Sequence, residues 1–155
     1  MIGLWDIGSR KEIKEFKAHE IQIAHLAFSP DGTRLASASI DGTAKVWNLA
    51  DLQEPLATPK RPLQAMGTIS FSPDGTRLAT GGDHGLVQLW DMETFQEVAV
   101  LKRREHIGRT FFPNNDSVVT AGQEEPKSSP LTVVLLRAAS LEEIRSEEQI
   151  RARRQ

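Results

Sequence analysis

Cysteine is missing from the 155 residues, so no disulfide framework can staple the chain and no thiolate can act as nucleophile or metal ligand. An excess of one charge is missing too. Lys and Arg number 19 against 21 Asp and Glu, a formal net charge of −2, which gives no global attraction for nucleic acid or an anionic membrane. No apolar run approaches the roughly 18 residues that a membrane-spanning helix needs. The opening MIGLWDIGSRKEIKEF sets charges where a signal peptide needs an apolar centre. From these absences a soluble, cytoplasmic protein is expected, with neither nucleic acid nor membrane as partner.

Motifs of chemistry are scarce. Gly81-Gly82 and Gly85 flank a turn between two strand-like runs and open no helix, so they make no phosphate-cradling loop. The four histidines, His19, His25, His84 and His106, have no ligand spacing and no cysteine beside them. No metal and no cofactor are therefore expected. Lys102-Arg103-Arg104 and Arg151-Ala152-Arg153-Arg154 are basic, but they stand near Glu105 and near Glu147 and Glu148, with no interleaved aromatics. They read as solvated surface.

What is present is a repeat. Phe28 to Trp47 reads FSPDGTRLASASIDGTAKVW, and Phe71 to Trp90 reads FSPDGTRLATGGDHGLVQLW, 43 residues later and identical over the first nine letters. A fixed period of about 20–50 residues marks a repeat architecture. Each copy holds a Ser-Pro-Asp-Gly turn, in which Pro presets φ, Asp bonds its own backbone and Gly takes the last place. Asp41-Gly42 adds a second hairpin signal.

Strands are expected at residues 21–28, 35–39 and 43–47, with an outer strand near 54–57, where Pro55 suits an edge. The run 21–28 has little polar alternation and suggests a strand covered on both faces. In the second unit the strands fall at 65–71, 77–82, 86–90 and 94–101. Trp5-Asp6 lies 42 residues before Trp47-Asn48, so the chain opens on the end of a unit, with Ile2–Trp5 and Lys11–Lys17 as its strands. A third, decayed unit runs through TFFPNNDSVVTAG (110–122), an insertion at 123–130 and the strand LTVVLL (131–136), with Leu136-Arg137 at the Trp-Asp place. Residues 140–155 are ambiguous. An outer strand near 142–146 suits the repeat, whereas Ser140 and Glu143 form a capping box that suits a helix.

The paired FSPDGTRLA motifs, the strands leading to Trp47-Asn48 and Trp90-Asp91, and the 42–43-residue spacing resemble the WD-repeat β-propeller family over residues 2–137. The resemblance implies an all-β fold, a partial β-propeller of four-stranded antiparallel blades, about three and a half of them. The WD-repeat region is placed at 1–137, with a partial blade 1–18, blades 19–60 and 61–101, a degenerate blade 102–145 and a charged tail 146–155. The ring is incomplete, so either a longer chain or several copies would supply the rest.

His19, Ser37, Asp41 and Trp47 resemble a nucleophilic triad with a tryptophan attached. In the family, matching positions form a structural hydrogen-bond chain from Trp through Ser/Thr and His to the turn Asp. The second unit keeps Thr80 and Trp90 but has His84, beside Asp83, at the Asp41 place and Pro62 at the His19 place. Rigidity is accordingly expected to decline from the first unit onward. A hydrolase would need an exposed, strained nucleophile and an oxyanion hole, and no G-x-S-x-G elbow is present. The three tryptophans, at equivalent places, read as core packing rather than ligand platforms.

The expected function is a non-enzymatic protein–protein interaction scaffold. The alternatives are self-assembly into a completed ring and a catalytic propeller. Fold alone does not name a function. The resemblance points to one loop face as the binding surface, which places Gln22, Ile40, Ala65, Asp83, His84 and Glu105 as partner-binding candidates.

Overall fold

The computed structural model of the protein describes residues 1–59, 65–102, 106–123 and 132–137. Its strands are β1 (Ile2–Asp6), β2 (Lys11–Phe16), β3 (Ile23–Phe28), β4 (Arg34–Ser39), β5 (Ala44–Asn48), β6 (Met66–Phe71), β7 (Arg77–Gly82), β8 (Leu86–Asp91), β9 (Glu97–Lys102), β10 (His106–Asn114), β11 (Ser117–Gln123) and β12 (Thr132–Arg137). A 3-10 turn, Asp83–Gly85, joins β7 to β8. All ladders are antiparallel, in the sheets β1-β2, β3-β4-β5, β6-β7-β8-β9 and β10-β11-β12. This is a partial β-propeller.

The period-2 geometry of a strand sends alternate side chains to opposite faces, and each sheet uses both. Leu35 and Trp47 face the β1–β2 sheet and pack with Ile2, Phe16 and Ala18. The Phe16 and Trp47 rings meet edge to face at 4.9 Å. Ala36, Ala38, Ala44 and Val46 face the other way, against Met66, Ile69, Phe71, Leu78 and Trp90 of the next sheet. Ala79, Val87 and Leu89 then pack on Ile107 and Val118 of the last. The small residues of β4 allow this close approach of sheets. Polar ties also cross between sheets: His25 Nδ1 lies 2.9 Å from Ile69 O and 3.2 Å from Ile69 N, and the Thr110 amide donates to Thr68 Oγ1 at 3.0 Å.

The turns follow their sequences. Asp-Gly-Thr occurs at 31–33, 41–43 and 74–76. In each, the Asp carboxylate accepts both the amide and the hydroxyl of the Thr two residues on. Gly32, Gly42 and Gly75 take positive φ between them, the left-handed region that a side chain disfavours.

Three expectations need correction. The strand expected at 21–28, covered on both faces, is β3, whose Ala24, Leu26 and Phe28 are exposed while Ile23, His25 and Ala27 are half-buried. Its covered face meets β6. Among the described residues no strand lies opposite its other face, the neighbouring sheet there consisting of β1 and β2. The outer strand expected near 54–57 is instead a short bridge. Leu56 N donates to Val46 O, Val46 N to Ala57 O and Ala44 N to Pro59 O, and Pro55 and Pro59 can donate nothing to a regular ladder. Trp5 is not core: it is 62% exposed, against 2% for Trp47 and 8% for Trp90. The faces that bear Trp47 and Trp90 are turned toward the preceding sheet, and among the described residues no sheet stands before β1–β2.

β9 starts at Glu97 rather than at Thr94 because Asp91 accepts the Glu93 and Thr94 amides and closes a turn. Phe95 leaves that turn at φ 57. The insertion at 124–130 and residues 138–155, including the expected capping box and charged tail, lie outside the described residues.

Candidate functional site

The best-formed polar site lies in the β3–β5 sheet. The Trp47 indole N–H donates to Ser37 Oγ at 3.1 Å, and Ser37 Oγ stands 2.7 Å from His19 Nε2. His19 Nδ1 reaches Thr43 Oγ1 at 2.9 Å and Asp41 Oδ2 at 3.2 Å. One proton arrangement satisfies every member: Trp47 donates to Ser37, Ser37 to Nε2, and Nδ1–H to the Asp41–Thr43 pair. Such a chain fixes the ring tautomer and pairs groups that burial would otherwise penalise.

Burial pushes the His19 pKa down, and the Asp41 carboxylate pulls against it without reversing the direction. Burial acts to raise Asp41, but the Thr43 hydroxyl and amide, with His19, hold it below the usual carboxylate range. The ring is thus kept neutral and the carboxylate ionised.

These distances have the spacing of a hydrolytic triad, but the surroundings oppose that chemistry. Ser37 is fully buried, and its oxygen already accepts the Trp47 N–H. An acyl carbon has no approach to it. Among the described residues no group of three His, Asp or Glu could hold a metal ion.

The second sheet holds half of this chain. Trp90 Nε1 donates to Thr80 Oγ1 at 3.1 Å. Pro62, at the His19 place, lies outside the described residues. In the third sheet the register sets Leu136 opposite Val118 as Trp90 is set opposite Leu78, so no indole is available to Thr120.

Four of the six expected partner-binding residues form two pairs. Ile40 N donates to Gln22 O at 3.1 Å, and Asp83 N donates to Ala65 O at 3.2 Å. The two bonds are equivalent and hold the four residues at the same end of neighbouring sheets. Gln22 and Ile40 are exposed, Ala65 and Asp83 half-buried. His84 lies in the 3-10 turn after Asp83. Glu105 lies outside the described residues.

Sequence reasoning missed Thr43, Ser39 and Lys45. Ser39 Oγ donates to Gln22 O at 2.8 Å. Its counterpart is Gly82, where an added Cβ would lie 2.0 Å from Ala65 O, so the second sheet closes the same junction by backbone contact. Lys45 Nζ donates to Ala18 O at 2.6 Å and lies 5.6 Å from the Trp47 ring centroid. For Thr43 a signal was available in the threefold Asp-Gly-Thr.

Residues 10–48 and 56–91 match the family model described as WD domain, G-beta repeat. WD repeat-containing protein 36 of Homo sapiens is 46% identical over 48 residues, 31% of this chain and 5% of that protein. Ribosome assembly protein 4 of Saccharomyces cerevisiae is 41% identical over 49 residues, 31% of this chain and 10% of that protein. WD repeat and HMG-box DNA-binding protein 1 of Mus musculus is 35% identical over 51 residues, 33% of this chain and 5% of that protein. The matched stretches are thus a tenth or less of these relatives. The solved structure of U3-55K superposes with a TM-score of 0.63 at 17% identity, over 76% of this chain and 40% of that one, a likeness of fold. With two matched repeats and sheets stacked as propeller blades, the chain belongs to the WD-repeat family, whose proteins are of the interaction-scaffold type.

Proposed function

We propose that the chain is a non-enzymatic, cytoplasmic interaction module that grips a protein or peptide through the loops at one end of its blades. The observation that carries this reading is the pair of equivalent bonds, Ile40 N to Gln22 O and Asp83 N to Ala65 O. They repeat one loop geometry on adjacent blades while changing its chemistry, from an exposed apolar Ile40 beside an amide to a carboxylate beside a small Ala65. A rigid frame with variable loop residues is how scaffolds acquire binding specificity. The buried Ser37 supports a structural role for the polar chain.

The test is a double substitution, Gln22→Ala with Asp83→Lys, used as bait beside the wild-type chain and scored for recovered partners. Loss of most of the partner signal at unchanged melting temperature is expected. Full recovery with an intact fold sinks this choice of face.

A further inference from the structure

The first strands of three successive sheets, β3, β6 and β10, lie side by side with β6 in the middle. A groove of about 330 Å³ lies along them, and His25, Ala27, Ile69, Ser70, Arg109 and Phe111 help to line it. Both of its walls belong to described sheets. None of the loop residues of the proposed partner face takes part. The volume falls at the small end of ligand pockets, which hold about 300–1,000 Å³.

The strands that form the groove are free of acid. The protein carries 21 Asp and Glu against 19 Lys and Arg. Yet β3, β6 and β10 hold no carboxylate and contribute His25, His106 and Arg109. Arg109 is exposed, and among the described residues its guanidinium makes no ion pair or hydrogen bond. Arg34 and Arg77, by contrast, donate to Met92 O and Asn115 O. A cation in a cleft without acids attracts an anion.

The neighbours of Arg109 narrow the ligand. β10 pairs regularly with β11 from Arg109 to Phe111, so these two side chains share one face. Phe111 is 48% exposed and sets an aromatic surface beside the guanidinium. Ala27 and Ile69 extend the apolar lining. Ser70 is half-buried, and its hydroxyl makes only a long bond, 3.3 Å, to Phe71 O. His25 Nδ1 is engaged by the Ile69 backbone. Both the neutral tautomer that accepts the Ile69 amide and the imidazolium that donates to the Ile69 carbonyl carry a proton on Nε2. Among the described residues that nitrogen has no partner. Guanidinium fork, hydroxyl and imidazole N–H are all donors, the complement of a carboxylate or phosphate.

We propose that the groove binds a small organic anion, an apolar body about the size of one aromatic ring that carries a carboxylate or a phosphate. Arg109 supplies the bidentate charged contact, Ser70 and His25 supply further donors, and Phe111 supplies the surface for the ring. A bare inorganic anion leaves Phe111 uncovered, and a neutral aromatic leaves Arg109 without an acceptor. Both therefore fit worse than a molecule that has the two parts joined.

The probes are phenyl phosphate and benzoate, titrated separately into the full ¹⁵N-labelled chain. At least one should move the amide resonances of Ile69, Ser70, Arg109 and Phe111 saturably, and the tighter of the two names the anion. Benzyl alcohol and inorganic phosphate, each with one half of the chemistry, should bind about tenfold more weakly or not at all. Arg109→Gln should weaken the better probe about tenfold or more, the loss of a charge-assisted contact, at unchanged melting temperature. Phe111→Ala should weaken phenyl phosphate but leave inorganic phosphate as it was. No saturable shift at millimolar probe, equal binding by Arg109→Gln, or benzyl alcohol binding as well as the anions would each overturn the proposal.

Discussion

Ser37 Oγ takes the Trp47 indole N–H at 3.1 Å while lying 2.7 Å from His19 Nε2, so one oxygen serves two buried partners. Removing it strands both. Each unsatisfied buried polar group costs about 1–3 kcal/mol, so Ser37→Ala should lower stability by about 2–4 kcal/mol. Thr80→Val leaves only the Trp90 N–H unserved and should cost about 1–2 kcal/mol. Urea unfolding of the two variants gives the comparison, and the order of the two losses is the test. Ester hydrolysis by the wild-type chain should be indistinguishable from that by Ser37→Ala.

The same chain gives the protein an acid-sensitive stability. His19 is held below its ordinary pKa of 6.5, chiefly by burial. The unfolded ring takes a proton more readily than the folded one, so its contribution is complete above pH 6.5 and is lost as pH falls from there through the folded value. Asp41, Asp74 and Asp91 are likewise lowered from 3.8, and Asp31, bonded by Ser29 and Thr33, sits at about 2. Their share is present above pH 3.8 and is lost as pH falls through the folded values. Urea midpoints should decline first between pH 7 and 5, then again below 4. His19→Gln should flatten the first decline and leave the second.

Thr110 Oγ1 is buried and, among the described residues, has no hydrogen-bond partner. Thr110→Val replaces that hydroxyl by a methyl of the same shape and should stabilise the chain by about 1 kcal/mol. The Thr110 amide bond to Thr68 Oγ1 at 3.0 Å is untouched by the change. Gly81 lies against the same threonine: an added Cβ would stand 2.7 Å from Thr110 Oγ1 and 2.9 Å from Ile107 Cγ2. Gly81→Ala should destabilise by about 1–3 kcal/mol through overpacking. Thermal melts of the two variants should move in opposite directions.

Arg10, in the turn between β1 and β2, has φ 55 and is exposed. A non-glycine residue in the left-handed region costs about 1–2 kcal/mol, and here no buried contact offsets it. Arg10→Gly should raise stability by a few tenths to about 1 kcal/mol, the gain trimmed by the freer unfolded chain. Phe95 has a similar φ of 57 but lies under the Arg34 guanidinium, 5.9 Å from the ring centroid. Phe95→Gly should therefore lose packing and destabilise. Differential scanning fluorimetry separates the two.

Much of this architecture is legible in the residues themselves. The 43-residue period, the Asp-Gly-Thr turns and the Trp–Ser pairing are local or periodic, so they survive as patterns. What escapes reading is set by neighbours. Whether Leu26 and Phe28 are buried depends on the sheet in front of β3, and Trp5 looks like Trp47 in sequence while no described sheet packs on it as β1–β2 packs on Trp47. Gly82 shows the same limit: its tight approach to Ala65 belongs to the junction, and nothing in the letters distinguishes it from an ordinary hairpin glycine. The loop pairs Gln22–Ile40 and Ala65–Asp83 could be placed from the repeat, but their chemistry differs between units, so the pattern names a surface and no ligand.

The proposed loop face is defined by where a partner touches the chain. A photo-crosslinking amino acid placed in turn at Ile40, at Asp83 and, on the outer strand, at Val98 provides the measurement. Adducts of one partner from Ile40 and Asp83, with none from Val98, are predicted. Adducts from Val98 alone, or equally from all three positions, would contradict the assignment of the loop face.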